Sequence, residues 1–186
     1  VVTLSRAAVS LTYPARFMLA AAMNPCPCGY FGDARQQCRC AELDVERYRS
    51  RVSGPLLDRI DIHLEVPAVV YSDLVESHAE EPSAAIRERV ERARVIQRLR
   101  FRDRPGVHAN AHMTTRDLRR HCFVSPPVEQ LLREAVNRFG LSARGYHRIL
   151  KIARTIADLA GAEELASTHV REAIQYRSLD RRKAAA

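Results

Sequence analysis

Residues 15–30 read ARFMLAAAMNPCPCGY, and the first nine are almost wholly apolar. A run of that kind, closed by Asn24-Pro25, predicts a strand over 15–23 buried on both faces of a parallel sheet. Asn24 then stands at the carboxyl end of the strand, the end at which open α/β sheets bind ligands. The local pattern by itself favours a plainer role for Asn24, the start of a turn before Pro25. The longest uninterrupted apolar run, Phe17 to Met23, has seven residues, against the roughly 20 that a membrane-spanning helix needs. It is also a poor secretory signal, with sixteen ordinary residues ahead of it. A cytoplasmic protein without membrane contact is expected.

Directly after the run come Cys26-Pro27-Cys28 and then Cys38-Arg39-Cys40, two C-x-C pairs nine residues apart in a segment with few apolar residues. Residues 26–40 therefore read as an insertion that needs a staple. Four thiolates around one tetrahedral Zn²⁺ would supply it, and metal binding would then be the folding energy of the loop. Two disulfides would serve in an oxidising compartment, which nothing here indicates. A redox role is weakened because a one-residue gap strains a disulfide within either pair. The pattern favours Zn²⁺ with Cys26, Cys28, Cys38 and Cys40 as ligands, although C-x-C departs from the commoner C-x-x-C spacing. The fifth cysteine, Cys122, reads as a small buried residue. His108 and His112 have the spacing of a helical metal pair, but Pro105 and Gly106 argue against a helix there, so no second metal site is assigned.

Further along, a helix is expected over 41–52, then a short one opened by Ser53-Gly54-Pro55. Ile60, Ile62, Leu64 and Val66 alternate with Asp61, His63 and Glu65, which predicts a strand closed by Pro67. Beyond a connection at 71–82 the pattern is helical. Ser83 is expected to cap a helix to about Phe101, and Thr114 with Asp117 has capping-box spacing. The surest helix runs from Ser125-Pro126 to Gly140, with Val128, Leu131, Leu132, Ala135, Val136 and Phe139 on one face. Ser142 caps the next, which stops at Gly161, and a last helix spans about 168–178. The organisation expected is the end of an α/β sheet domain (1–70) holding the cysteine-rich insertion, a linker (71–82), an all-α domain (83–180) and a tail (181–186).

The chain has 186 residues and a net charge of +8; of its 30 basic residues only Lys151 and Lys183 are lysine. At 46% apolar content it can build packed cores, which excludes a disordered tail or a fibrous repeat. A basic balance permits phosphate-bearing partners without proving them. Eight Arg and three acidic residues lie between Arg87 and Arg104. Arg87, Arg94 and Arg98 fall on one side of a helix and could follow a phosphate backbone, although such clusters are more often solvated edges. The chain opens on Val1 rather than Met, so a piece of a longer polypeptide is expected.

The run at 15–30, CRC at 38–40, SGPLLDRIDIHLEV at 53–66 and LSARGYHRILKIARTIADL at 141–159 resemble the magnesium-chelatase-like AAA+ ATPases. The likeness covers nearly the whole chain. It implies the end of a P-loop sheet domain followed by a helical lid, a hexameric ring, and use of ATP with Mg²⁺. In its competence-type branch it implies DNA remodelling, by helicase action or branch migration. Asn24 matches the sensor that orients the attacking water, and the turn reading then gives way. Arg59 matches the arginine finger that reaches a neighbouring subunit's nucleotide; from the residues alone it would be an ion-pair partner of Asp58 or Asp61. Arg144, in the first turn of a capped helix, matches the second sensor, with Arg148 one turn later as its rival. No Gly-x-x-x-x-Gly-Lys-Ser/Thr loop occurs, and no apolar strand ends in Asp-Glu, so the phosphate cradle and the magnesium ligand are absent. The resemblance places both ahead of residue 1, with a further amino-terminal domain, and the chain alone is expected to be inactive. The competing reading is a stand-alone zinc-containing module that binds nucleic acid or protein without ATP chemistry.

Overall fold

The computed structural model describes residues 1–7, 9–15, 17–69, 71 and 81–177. Most of the expected linker and all of the expected tail lie outside them. The chain divides into two compact units, Val1–Arg49 and Ser50 onward. No helix among the described residues is long and apolar enough to cross a membrane.

The first unit opens with an antiparallel hairpin of β1 (Val2–Arg6) and β2 (Val9–Tyr13). The sequence VTLSR/VSLTY alternates with period 2, so its side chains sort onto two faces. Thr3 pairs with Thr12 and Ser5 with Ser10 on one face, their hydroxyls 3.0 and 2.9 Å apart. Val2, Leu4, Leu11 and Tyr13 share the other face and stay exposed. Ala7 takes the left-handed φ of 48° that so tight a reversal demands. After the cysteine-rich loop, α1 (Glu42–Ser50) closes the unit, with Glu42 and Asp44 in its first turn and Arg47 and Arg49 in its last, the charge order that suits a helix dipole.

Two expected strands are not formed. Residues 17–23 carry no regular secondary structure, and Phe17, Met18 and Leu19 are exposed. In 60–66 only His63 makes a bridge, to Arg177, its N–H donating to the Tyr176 carbonyl at 2.7 Å, while Ile62, Leu64 and Val66 face solvent. The cause is pairing: an apolar or alternating segment becomes a strand only when a neighbour takes its N–H and C=O groups, and among the described residues the one sheet is β1–β2.

The second unit is helical: α2 (Gly54–Leu57), α3 (Ser83–Arg100), a 3₁₀ turn (Asn110–His112), α4 (Thr115–His121), α5 (Pro126–Phe139), α6 (Ala143–Leu159) and α7 (Ser167–Gln175). Local chemistry sets most of these ends. Thr114 and Asp117 form the capping box of α4. Gly140, at φ 57°, ends α5, and Ser142 accepts the Gly145 N–H at 3.1 Å to open α6. Ser83 is not a cap; Pro82 holds that position without a side-chain bond, and Glu81 instead grips Arg89 through two bonds of 2.9 and 3.0 Å. The core gathers Phe101, Leu118, Val128, Leu132, Ile149, Leu150, Ala153, Val170 and Ile174 around α6.

One polar knot sits inside this core. The buried Asp158 carboxylate accepts both arms of Arg100 at 2.7 and 2.5 Å, Nε of Arg154 at 3.1 Å and the Asn110 amide at 2.7 Å. Arg154 in turn donates to the carbonyls of Glu163 and Ala162. Asp158→Ala strands two guanidinium groups, and should cost about 3–5 kcal/mol and lower Tm by roughly 10 °C or more, read by thermal unfolding.

Arg148 on α6 holds the segment after α2: its Nε donates to the Asp58 carbonyl at 2.8 Å and its NH1 to the Asp61 carboxylate. Both side chains are partly exposed, so the pair contributes modestly. Arg148→Ala should leave helix content intact, cost about 1 kcal/mol or less globally, and show faster hydrogen exchange at 58–63 as its specific sign.

Candidate functional site

In the first unit the chain that leaves Asn24 turns back on itself at once. The Gly29 N–H bonds the Cys26 carbonyl at 3.1 Å, with Gly29 at φ 88°, a conformation that resists a side chain. Asp33 caps the next bend, accepting the N–H groups of Arg35 and Gln36 at 2.7 and 3.0 Å. These turns bring Cys38 and Cys40 back to Cys26 and Cys28. The four Sγ atoms lie within 4.8 Å of one another; Cys26–Cys28, Cys28–Cys38 and Cys26–Cys38 are 3.3, 3.5 and 3.7 Å apart. None is in a disulfide.

The backbone aims hydrogen-bond donors at these sulfurs. N–H groups of Tyr30 and Arg39 pull the Cys28 thiol down to about 6. At Cys40 the Cys28 N–H works in the same sense, but burial and the neighbouring sulfurs outweigh it and push the thiol up to about 12. Four sulfurs this close cannot all carry negative charge unless a cation joins them. From α1, Arg49 donates its Nε to the Pro25 carbonyl at 3.0 Å and lays its guanidinium over the Phe31 ring at 4.5 Å. Asn24 itself is exposed, in a segment without regular secondary structure. Its expected place at a sheet tip is not reproduced, because the sheet is not formed there.

In the second unit the arginines separate by what they touch. Arg59 is exposed, its NH1 on the Pro55 carbonyl at 2.7 Å, and the ion pair weighed for it with Asp61 goes to Arg148 instead. Arg148 is tied down, whereas Arg144, one turn earlier, is exposed and has no ion pair among the described residues. Nothing in the sequence signals a partner for Arg148 that lies 87 residues away. Along α3, Arg87, Arg94 and Arg98 are exposed and without ion pairs among the described residues, while Arg89 and Arg92 are held by Glu81 and Glu88.

The remaining candidates are structural. The His108 N–H bonds the His112 ring at 3.3 Å, and His121 packs edge-on to Phe101. Cys122 is buried in the core, its thiol pushed up to about 11 by desolvation.

Comparison with known proteins covers both units. The model of magnesium chelatase subunit ChlI matches residues 1–74, and that of the ChlI C-terminal region matches residues 80–177. The chain is 39% identical over 181 residues to the competence protein ComM of Haemophilus influenzae, which takes in 97% of this chain and 34% of that protein. It is 38% identical to the uncharacterised protein YifB of Salmonella typhimurium, covering 96% and 34%, and 36% identical to the uncharacterised protein Mb2921c of Mycobacterium bovis, covering 92% and 33%. It thus spans about a third of the length of these relatives. With more than half its length under the C-terminal model alone, the chain belongs to the magnesium chelatase ChlI family.

Proposed function

We propose that this chain is the sensor, finger and lid portion of an AAA+ ATPase whose hydrolysis of ATP drives the remodelling of DNA. The observation that carries the reading is the family match across both units, from the hairpin to α7. Exposed apolar residues at 17–19 and at 62, 64 and 66 support a sheet completed by residues outside this chain, since surface left in that pattern asks for strand neighbours.

In this reading Asn24 orients the water that attacks the γ-phosphate. Arg59 projects from a short helix started by Pro55 and meets charge building on the phosphoryl group of an adjacent subunit in a hexameric ring. Such a residue is worth roughly 10³–10⁵ in rate, or about 4–7 kcal/mol. Arg144 takes the second-sensor role over Arg148: it lies free in the first turn of a capped helix, where the dipole favours an anion, while Arg148 is committed to Asp58 and Asp61. The residues present do not fit a magnesium site of the P-loop kind, because neither the Gly-Lys-Ser/Thr loop nor an Asp-Glu strand end occurs in the sequence. Phosphate cradle and metal ligand must come from outside this chain.

DNA as the substrate draws on the name of the Haemophilus relative, a competence protein, and on the exposed Arg87, Arg94 and Arg98, which have no ion pair among the described residues. In the longer protein Arg59→Ala should abolish ATP hydrolysis and leave ATP binding intact, and this chain alone should show no turnover. Retained hydrolysis in the variant would turn the reading toward a binding module. Replacing Arg87, Arg94 and Arg98 together by Ala should weaken duplex DNA binding and flatten the slope of log K against log salt by about two to three, measured by fluorescence anisotropy across a salt series.

A further inference from the structure

Among residues 26–40 only Cys26 is buried, so the compact turn-back at 26–40 is not held by an apolar core. What converges there instead is sulfur. We propose that Cys26, Cys28, Cys38 and Cys40 form a tetrathiolate zinc site, and that the bound metal is what keeps residues 24–49 folded.

The sulfur geometry separates this from the other chemistries open to four cysteines. Sulfurs at about 2.3 Å from a tetrahedral zinc ion lie about 3.8 Å from one another. Cys26, Cys28 and Cys38 form a nearly even triangle of 3.3, 3.5 and 3.7 Å, and Cys40 is within 4.8 Å of each. A pair of disulfides would split the group into two short contacts of about 2.05 Å and lengthen the rest. An even spacing is what a shared central atom requires. All-sulfur tetrahedral ligation selects zinc or iron over the hard divalent ions, and a closed site with no open position is structural rather than catalytic.

The consequence reaches both ends of the loop. Asn24 lies two residues before the first ligand, and Arg49 of α1 clasps the loop through the Pro25 carbonyl and the Phe31 ring. Removing the metal should therefore unfold 24–49 and leave the helices of the second unit, which have their own core, in place. This site stands or falls independently of the ATPase reading.

The test is elemental analysis of the protein purified without chelator or added metal, paired with thiol titration. About one zinc per chain is expected, with Cys26, Cys28, Cys38 and Cys40 unreactive until an organomercurial releases the metal. Hydrogen exchange before and after release should then show protection lost at 26–49 and kept across 83–177. Replacement of zinc by Co²⁺ should give the intense thiolate-to-cobalt charge-transfer absorption of a tetrahedral sulfur site, and C38S should reduce metal content even where that variant folds poorly. Less than about half a zinc per chain with Cys26, Cys28, Cys38 and Cys40 all titratable overturns the site; a full complement of iron overturns the identity of the metal; unchanged exchange at 26–49 after release overturns its role in folding.

Discussion

The second unit depends on the burial of one carboxylate. Taking Asp158 out of water carries a large desolvation cost, and that cost is offset only if both oxygens are used in good geometry. They are: Arg100 approaches as a fork from α3, Arg154 comes from one turn back on α6, and Asn110 comes from the 3₁₀ turn. Four donors converging on one group tolerate far less sliding than apolar side chains do. The knot therefore fixes the rotation and register of α6 against α3 and against the Ala162–Glu163 turn that Arg154 also holds. Leu150, Ala153 and Ala157 then fill the space that this register defines.

Fixing α6 has a second effect at its other end. The same helix presents Arg144 and Arg148 in its first two turns, so any ligand of those residues meets a side chain on a rigid support. The link from Arg148 to Asp58 and Asp61 carries that rigidity to the segment holding Arg59. Arg177 adds a bond of 2.5 Å to the Ile60 carbonyl, and His63 bonds back to Tyr176. The segment carrying Arg59 and the first turns of α6 are thereby connected within one unit.

How much of this was legible in the sequence follows from how local each signal is. The ends of α4, α5 and α6 could be read because Thr114 with Asp117, Gly140 and Ser142 act within one turn of themselves. The cysteine cluster could be read because a segment with few apolar residues had little else to fold around. The hairpin went unread: its period-2 alternation was present, but Ala7 and Ala8 carry none of the Asn-Gly chemistry that marks a tight turn. The strands expected at 15–23 and 60–66 failed in the opposite way. Their patterns describe a propensity, while a strand is a property of a pair, and among the described residues neither segment has a strand partner beyond the single His63 bridge. Arg148 and its partners, like the Asp158 knot, join residues far apart in sequence, where periodicity is silent.

The contrast between the units bears on where control could enter. In the second unit apolar burial and a satisfied polar knot act together, so no single ligand decides whether it folds. In residues 24–49 the contacts are mostly local polar ones, among them the four clustered sulfurs, the two Asp33 bonds and the Arg49 clasp, and only Cys26 and Val45 are buried. A segment of that kind has little cooperative reserve, and its order follows whatever joins the sulfurs. Asn24 is continuous with this segment, so the order of its backbone follows the state of the sulfurs two residues away, while the helical unit keeps its own core.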